Sequence, residues 1–156
     1  YRQHMQKYFH CLAVRVIKKS ALVPYSPAQM YALVDDIAAY AEFLPWCSAS
    51  RVLNRDPDSV EAELTISYGQ LNKPFITRNI NTPHSHISMQ LVEGPFKHLD
   101  GQWDFQKLGE DGCKVSLELS FAFSNKLLDM TVGPVFGHIA NSLVDAFTER
   151  AGQIYG

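Results

Sequence analysis

The sequence lacks the features that mark several large classes of protein. No apolar run approaches the ~18 residues needed to cross a bilayer, so an integral membrane protein is not predicted. The three cysteines, Cys11, Cys47 and Cys113, are odd in number and far apart, with no C-x-x-C pair. This usage argues against a disulfide framework or a structural zinc site, and it favours a reducing compartment.

Motifs for nucleotide chemistry and hydrolysis are also missing. Neither G-x-G-x-x-G nor G-x-x-x-x-G-K-S/T occurs, and there is no G-x-S-x-G elbow or H-E-x-x-H pair. The close pair His84 and His86 has no third ligand nearby in sequence. Fourteen Lys and Arg against sixteen Asp and Glu leave a net charge of −2, which does not favour a protein that depends mainly on phosphate contacts. We therefore predict no catalytic residues, no metal and no cofactor.

The first eleven residues differ from the rest of the chain. Residues 1–11 are polar with scattered aromatic side chains, and they lack the apolar segment and small-residue cleavage site of a secretory signal. We interpret them as an N-terminal extension, either native or added, and we expect a single domain over residues 12–156. Without a secretory signal, the default expectation is a cytoplasmic protein.

From residue 12 onward the hydrophobic pattern is that of strands, with a helical interruption early and a long helix late. Residues 12–23 form the first predicted strand, Ser26-Pro27 predicts the capped start of a helix, and Pro45 ends a second short helical turn over residues 38–43. Further strands are predicted at 46–55, 59–68, 73–82, 86–93, 99–108 and 113–123. The links between them are too short for parallel crossovers, so an antiparallel meander is predicted.

The last thirty residues change period, with apolar residues recurring at intervals of three and four. Ser124-Asn125 is a candidate cap for this helix. Gly133-Pro134 should kink its first turns or mark its true beginning, because proline removes a backbone hydrogen bond.

The predicted sheet is wider than the final helix that would cover it. Seven strands at ~4.8 Å spacing make a face about 29 Å wide, whereas one helix with its side chains covers only ~10–12 Å. Either large side chains fill the difference or a ligand-sized cavity remains, and the pattern leaves both outcomes open. Burying about ten methylenes of a lipid would release roughly 8 kcal/mol, comparable to the ~4–15 kcal/mol cost of association.

Two apolar segments lie between predicted elements. Residues 43–47 join the short helical turn to the second strand, and residues 93–99 contain the Gly94-Pro95 turn followed by Phe96. Each segment has a structural interpretation, in which its apolar residues pack into the core, and a functional one, in which it gates a cavity. In the second case Lys97 would reach toward a polar headgroup.

Both segments carry a resemblance. The resemblance rests on Pro24–Tyr31, Tyr40, Phe43–Leu53, Thr77–Asn79, Leu91–Leu99, Gly101–Phe105, Phe121, Phe123, Asn125–Leu127 and Ala146–Ala151. Through these motifs the chain resembles, over about residues 16–156, the coenzyme-Q-binding START-like family (polyketide cyclase/dehydrase type), and within it the bacterial ribosome association toxin branch.

The resemblance implies an α+β helix-grip fold of the START/Bet v 1-like type. A curved seven-stranded antiparallel sheet would wrap around the long C-terminal helix, with two short helices after the first strand and an apolar tunnel inside. Mitochondrial relatives bind ubiquinone and support respiration, whereas the bacterial branch binds the large ribosomal subunit and blocks subunit joining. The family has no accepted catalytic residues to transfer.

Our first hypothesis is a non-enzymatic protein that binds ubiquinone or another polyisoprenoid lipid and supports respiration, with transient contact at the inner membrane. The predicted ligand-binding or gating residues are Phe43, Leu44, Trp46, Phe96, Lys97, Leu99, Trp103, Phe121, Val135, Phe136, Ile139 and Leu143.

Two alternatives stay open. A ribosome association toxin would act through its surface, and its candidate contacts are Lys18, Lys19, Arg51, Arg55, Lys73 and Arg78. A cyclase-like enzyme is supported by fold analogy alone and would need ionisable groups inside the cavity. The sequence does not indicate an oligomeric state.

Overall fold

The computed structural model describes residues 14–69 and 71–156, and the predicted extension and domain start at residue 12 lie outside them. Seven strands, two short helices, one 3₁₀ turn and one long helix follow in chain order: β1 (Arg15–Val23), α1 (Pro27–Asp35), the 3₁₀ turn (Ile37–Ala39), α2 (Tyr40–Phe43), β2 (Cys47–Arg55), β3 (Ser59–Tyr68), β4 (Leu71–Thr82), β5 (His86–Glu93), β6 (Phe96–Leu108), β7 (Gly112–Phe123) and α3 (Lys126–Tyr155).

The strands form one antiparallel sheet in the order β1-β7-β6-β5-β4-β3-β2. The predicted meander and the α+β helix-grip class are therefore confirmed. Strands β2 to β7 follow one another through short links, while the segment containing α1 and α2 leads from β1 at one edge to β2 at the other. This arrangement leaves α3 to cover the concave face.

The first helix begins as its sequence predicts. The Ser26 hydroxyl accepts a hydrogen bond from the Gln29 N–H at 3.1 Å, and Gln29 Oε1 accepts one from the Ser26 N–H at 2.9 Å. Pro27 occupies the first helical position, where its missing N–H has no intrahelical partner to lose.

The long helix begins at Lys126, so the suggestion that Gly133-Pro134 marks its start was wrong. Asn125 Oδ1 accepts a hydrogen bond from the Leu128 N–H at 2.7 Å, which sets the first turn. Pro134 lies inside the helix and leaves the carbonyl of Met130 without its usual donor. Because Met130 is exposed, water can satisfy that carbonyl. In the part of the chain that the structure describes, no helix has the length and apolarity that a bilayer span requires.

Strand β6 begins at Phe96, three residues before its predicted start at 99. Gly94 has a positive φ of 154°, and a Cβ there would lie 2.6 Å from Phe75 Cβ, so the turn needs glycine at this position. The turn delivers Phe96 into register opposite Phe123 on β7, which extends the pairing of the two strands.

Candidate ligand-binding cavity

A cavity of about 60 Å³ lies between the concave face of the sheet and α3. Side chains from the 3₁₀ turn, α2, the loop before β2, five strands and α3 line it. They are Ile37, Tyr40, Trp46, Leu64, Phe75, Thr77, Asn79, Met89, Leu99, Trp103, Leu119, Phe136, Leu143 and Phe147. Twelve of these fourteen residues are aliphatic or aromatic, which makes the cavity suitable for a lipophilic group.

The cavity is small because aromatic rings fill most of the space between sheet and helix. Pockets for drug-sized ligands run from about 300 to 1,000 Å³. The Phe147 ring lies 5.4 Å from Trp103 and 5.3 Å from Tyr40, in edge-to-face contacts. The excess width of the sheet is thus mostly taken up by side chains, and the gap that remains is several times smaller than a pocket for a drug-sized ligand.

An aromatic cluster, here called the aromatic end, closes the interior beside the start of α3. Phe96, Phe121 and Phe123 form it, and Phe136 separates it from the cavity. The Phe96 ring stacks on Phe123 at 4.6 Å, and Phe136 lies 4.8 Å from Phe121. Phe121 is fully buried and Phe96 is 5% exposed. The segment 93–99 therefore packs Phe96 into the core, which agrees with the structural interpretation of that segment and not with a gate.

A polar row on β4 is the unexpected feature of the interior. Thr77, Asn79 and Asn81 alternate inward behind Phe75, and all three are buried. Thr77 and Asn79 line the cavity. The Oδ1 atoms of Asn79 and Asn81 have no hydrogen-bond partner among the described residues, although Asn81 Nδ2 donates to Asp35 Oδ1 at 2.9 Å. A buried acceptor in this condition costs about 1–3 kcal/mol.

The titratable groups near the cavity are held in their neutral forms. Burial chiefly, with the nearby Asp35 carboxylate, raises the pKa of Tyr40 well above its ordinary range. Its hydroxyl donates to the Val34 carbonyl. Burial likewise raises the pKa of the Cys47 thiol, which donates to the Ala49 carbonyl at 3.3 Å. A protonated, shielded thiol is a poor nucleophile.

Comparison with known proteins defines the family. Residues 23–148 match the family described as polyketide cyclase / dehydrase and lipid transport. The chain belongs to this family. It is 47% identical over 140 residues to the ribosome association toxin RatA of Pseudomonas aeruginosa, covering 90% of this chain and 97% of that protein.

Two further comparisons give matches at lower identity. The chain is 28% identical to the mitochondrial coenzyme Q-binding protein COQ10 homolog B of Xenopus laevis, covering 88% of this chain and 58% of that protein. The crystal structure of the Zhui aromatase/cyclase from Streptomyces sp. R1128 superposes with a TM-score of 0.77, covering 92% of this chain and 96% of that one. At 15% identity the second likeness concerns the fold alone.

The structure brings together five of the twelve predicted ligand-binding residues around the cavity of this START-like domain. They are Trp46, Leu99, Trp103, Phe136 and Leu143. The remaining seven are Phe43, Leu44, Phe96, Lys97, Phe121, Val135 and Ile139, and they lie elsewhere. Four of the seven, Leu44, Phe96, Phe121 and Ile139, are buried in the core around the cavity.

The other three lie nearer the surface. The half-buried Phe43 ring packs against Phe147 at 5.3 Å and lies beneath the Arg150 guanidinium at 4.9 Å, outside the cavity. Lys97 is exposed and Val135 is half-buried.

Nine lining residues were not predicted: Ile37, Tyr40, Leu64, Phe75, Thr77, Asn79, Met89, Leu119 and Phe147. The period-two alternation of β4 is the signal that could have found its polar members. It places Thr77 and Asn79 on the same face as Phe75 and therefore inside the domain.

The six candidate basic contacts are not gathered on one surface. Lys18 and Lys19 lie on β1 and Arg51 and Arg55 on β2, at opposite edges of the sheet. Four of the six face carboxylates within 4.0 Å: Lys18 with Glu118, Arg51 with Glu63, Arg55 with Asp35 and Arg78 with Glu61. This neutralisation reduces the positive potential that a phosphate backbone would meet.

Proposed function

We propose that the protein binds a lipophilic small molecule, a polyisoprenoid quinone or a similar lipid, in the cavity between the sheet and α3. The observation that carries the proposal is the interior cavity itself, lined by twelve aliphatic or aromatic residues and two polar ones. The family description includes lipid transport, and one relative is named a coenzyme Q-binding protein. Each methylene of such a ligand that becomes buried adds about 0.8 kcal/mol.

Binding requires the cavity to widen from its 60 Å³. Trp46, Met89 and Leu143 line the cavity yet are only half-buried, so they can move outward with less loss of packing than their buried neighbours. Methionine adapts readily to a new shape because its side chain is unbranched and flexible. These three residues are the proposed entry point, and an opening there is where transient membrane contact is expected.

Tryptophan fluorescence tests this proposal directly. The sequence has two tryptophans, Trp46 and Trp103, and both line the cavity, so a quinone that enters should quench them in a saturable way. A short-chain ubiquinone is the probe. Leu143→Arg should abolish saturable quenching, because a half-buried arginine can keep its charge in water while its stem blocks the cavity.

Ser142→Arg is the matched control, since Ser142 is exposed on the neighbouring helical position and should quench like the unaltered protein. Organic extraction of the purified protein, followed by mass spectrometry, should recover a quinone or lipid. Quenching that fails to saturate, together with an empty extract, would reject the proposal.

A second candidate function is association with the ribosome. Its support is the 47% identity, over 90% of this chain, to a relative named a ribosome association toxin. We propose the large subunit as the partner and interference with subunit joining as the consequence, which implies a cytoplasmic location. Co-sedimentation with large subunits should weaken steeply between about 50 and 200 mM salt if phosphate contacts dominate.

Charge reversals separate the two edges of the sheet. If Lys18→Glu with Lys19→Glu lowers pelleting while Arg51→Glu with Arg55→Glu does not, the β1 edge makes the contact, because the two pairs of residues lie at opposite edges of the sheet. The absence of pelleting at every salt concentration would leave ligand binding as the remaining candidate.

Catalysis of the cyclase type is not favoured by the site. Among the described residues that line the cavity there is no carboxylate, histidine or lysine to move a proton. The Tyr40 hydroxyl keeps its proton and donates a hydrogen bond to the Val34 carbonyl. We therefore propose a binding role without catalysis.

A further inference from the structure

The side-chain oxygen of Asn79 lacks a hydrogen-bond donor among the described residues. Asn79 is 6% exposed, lines the cavity, and its Oδ1 has no hydrogen-bond partner among the described residues. Most buried polar side-chain atoms in proteins are hydrogen-bonded, so an unpaired acceptor in a residue that lines a cavity calls for an explanation. This oxygen has almost no accessible surface, so the widening that ligand binding requires must also expose it. A leucine of similar shape would fit the apolar surroundings without this penalty.

The backbone fixes this acceptor in position. Asn79 lies in the interior of the sheet, opposite Val60 on β3 and Met89 on β5. Because β4 is hydrogen-bonded to β3 and to β5, its inward-facing side chains cannot turn toward water unless those backbone hydrogen bonds break. Thr77, the preceding inward residue on β4, adds a hydroxyl to the same wall, where it can donate or accept.

We propose that Asn79 is the polar anchor of the cavity, with its Oδ1 accepting a hydrogen bond from a hydroxyl group of the bound molecule. This inference rests on the proposed lipid-binding function and deepens it. It assigns the ligand to the lipophilic alcohols, phenols and quinols, whose O–H can be donated, over analogues of the same length that carry no donor. A quinone in its oxidised form offers only acceptors, so the reduced form is the better match to Oδ1.

The test compares 1-decanol with decyl methyl ether, two probes of similar shape of which the alcohol alone has a donor. Binding is followed by tryptophan fluorescence or calorimetry. The unaltered protein should bind the alcohol about tenfold more tightly than the ether. In Asn79→Leu this preference should disappear, through weaker alcohol binding and equal or tighter ether binding.

Asn81→Leu is the matched control, because it removes the other buried asparagine of β4, which does not line the cavity, and leaves Asn79 in place. It should keep most of the preference for the alcohol. The melting temperature of Asn79→Leu should not fall, since the substitution removes an unsatisfied acceptor; a purely structural asparagine would give a marked loss.

The outcomes separate the two proposals. If neither probe binds the unaltered protein, and the quinone does not quench its fluorescence, the lipid-binding function itself fails. If alcohol and ether bind equally well to the unaltered protein, lipid binding stands and the anchor is overturned, because a retained water then satisfies Asn79. The comparison of alcohol with ether uses only the unaltered protein, so it tests the anchor even if Asn79→Leu does not fold.

Discussion

The two ends of the interior are built from the same sheet and the same helix, yet one is solid and the other is not. At the aromatic end, Phe96, Phe121 and Phe123 interlock in stacked and edge-to-face contacts. The cavity end has half-buried residues and the polar pair Thr77 and Asn79. The comparison teaches that aromatic rings alone do not decide whether the interior is closed, since six of the fourteen residues that line the cavity are aromatic. The cavity end differs in its half-buried residues and its two polar side chains.

Truncation at the aromatic end should have the largest effect. Phe121 is fully buried, so Phe121→Ala should lower the free energy of unfolding by about 3–5 kcal/mol, the sum of lost transfer energy and a new cavity. Urea denaturation measures it. A loss below about 2 kcal/mol would mean that the aromatic end is not the rigid part of the molecule.

Alkaline pH should act on the cavity end, because Tyr40 is a buried phenol and the phenylalanines of the aromatic end do not titrate. The folded-state pKa of Tyr40 is raised by burial, so its contribution is fully present below the unfolded pKa of about 10 and is lost as pH rises above it. The expected slope is about 1.4 kcal/mol per pH unit from this one proton.

The test is to measure the midpoint of urea denaturation from pH 8 upward in the unaltered protein and in Tyr40→Phe. The variant should have a shallower decline, with Tyr31 still contributing in the same direction because burial also raises its pKa. Parallel curves would show that Tyr40 is not buried in the folded state in solution.

A truncation at the cavity end should cost less than the one at the aromatic end. Met89 borders the existing gap and is half-buried, so Met89→Ala should lower the free energy of unfolding by only about 1–2 kcal/mol. The same variant should bind the quinone probe at least as well, because the opening becomes wider. A loss equal to that of Phe121→Ala would remove the distinction between the two ends.

The smallest effect is expected for an apolar residue outside both ends. Leu127 lies in the first turn of α3 and is 72% exposed, so Leu127→Ser should change the free energy of unfolding by less than about 0.5 kcal/mol. Urea denaturation again measures it. A larger loss would show that this residue is covered in solution, for example by a second molecule.

The strand β1 shows how far a local pattern can be trusted. Its apolar residues fall on both parities, and the structure exposes Val16 and Leu22 while Ile17 and Ala21 pack against the core. Alternation therefore identified the strand, but the choice of inner face depended on how β1 pairs with β7.

The site was predicted less completely than the fold. Trp46, Leu99 and Trp103 were expected to meet ligand and do line the cavity, whereas Phe96 and Phe121 were expected there and lie in the packed core. Large apolar residues look alike in sequence, and whether one borders a gap depends on neighbours from four or five different elements.

The sequence by itself determined the antiparallel meander, the capped first helix and the long final helix, because short links, turn residues and hydrophobic periods act over a few neighbouring residues. Only the tertiary structure decided how much of the excess sheet width stays empty, and it placed Asn79, whose oxygen has no hydrogen-bond partner among the described residues, in the wall of that space. Packing density and hydrogen-bond satisfaction are properties of the assembled interior, to which residues distant in the chain contribute together.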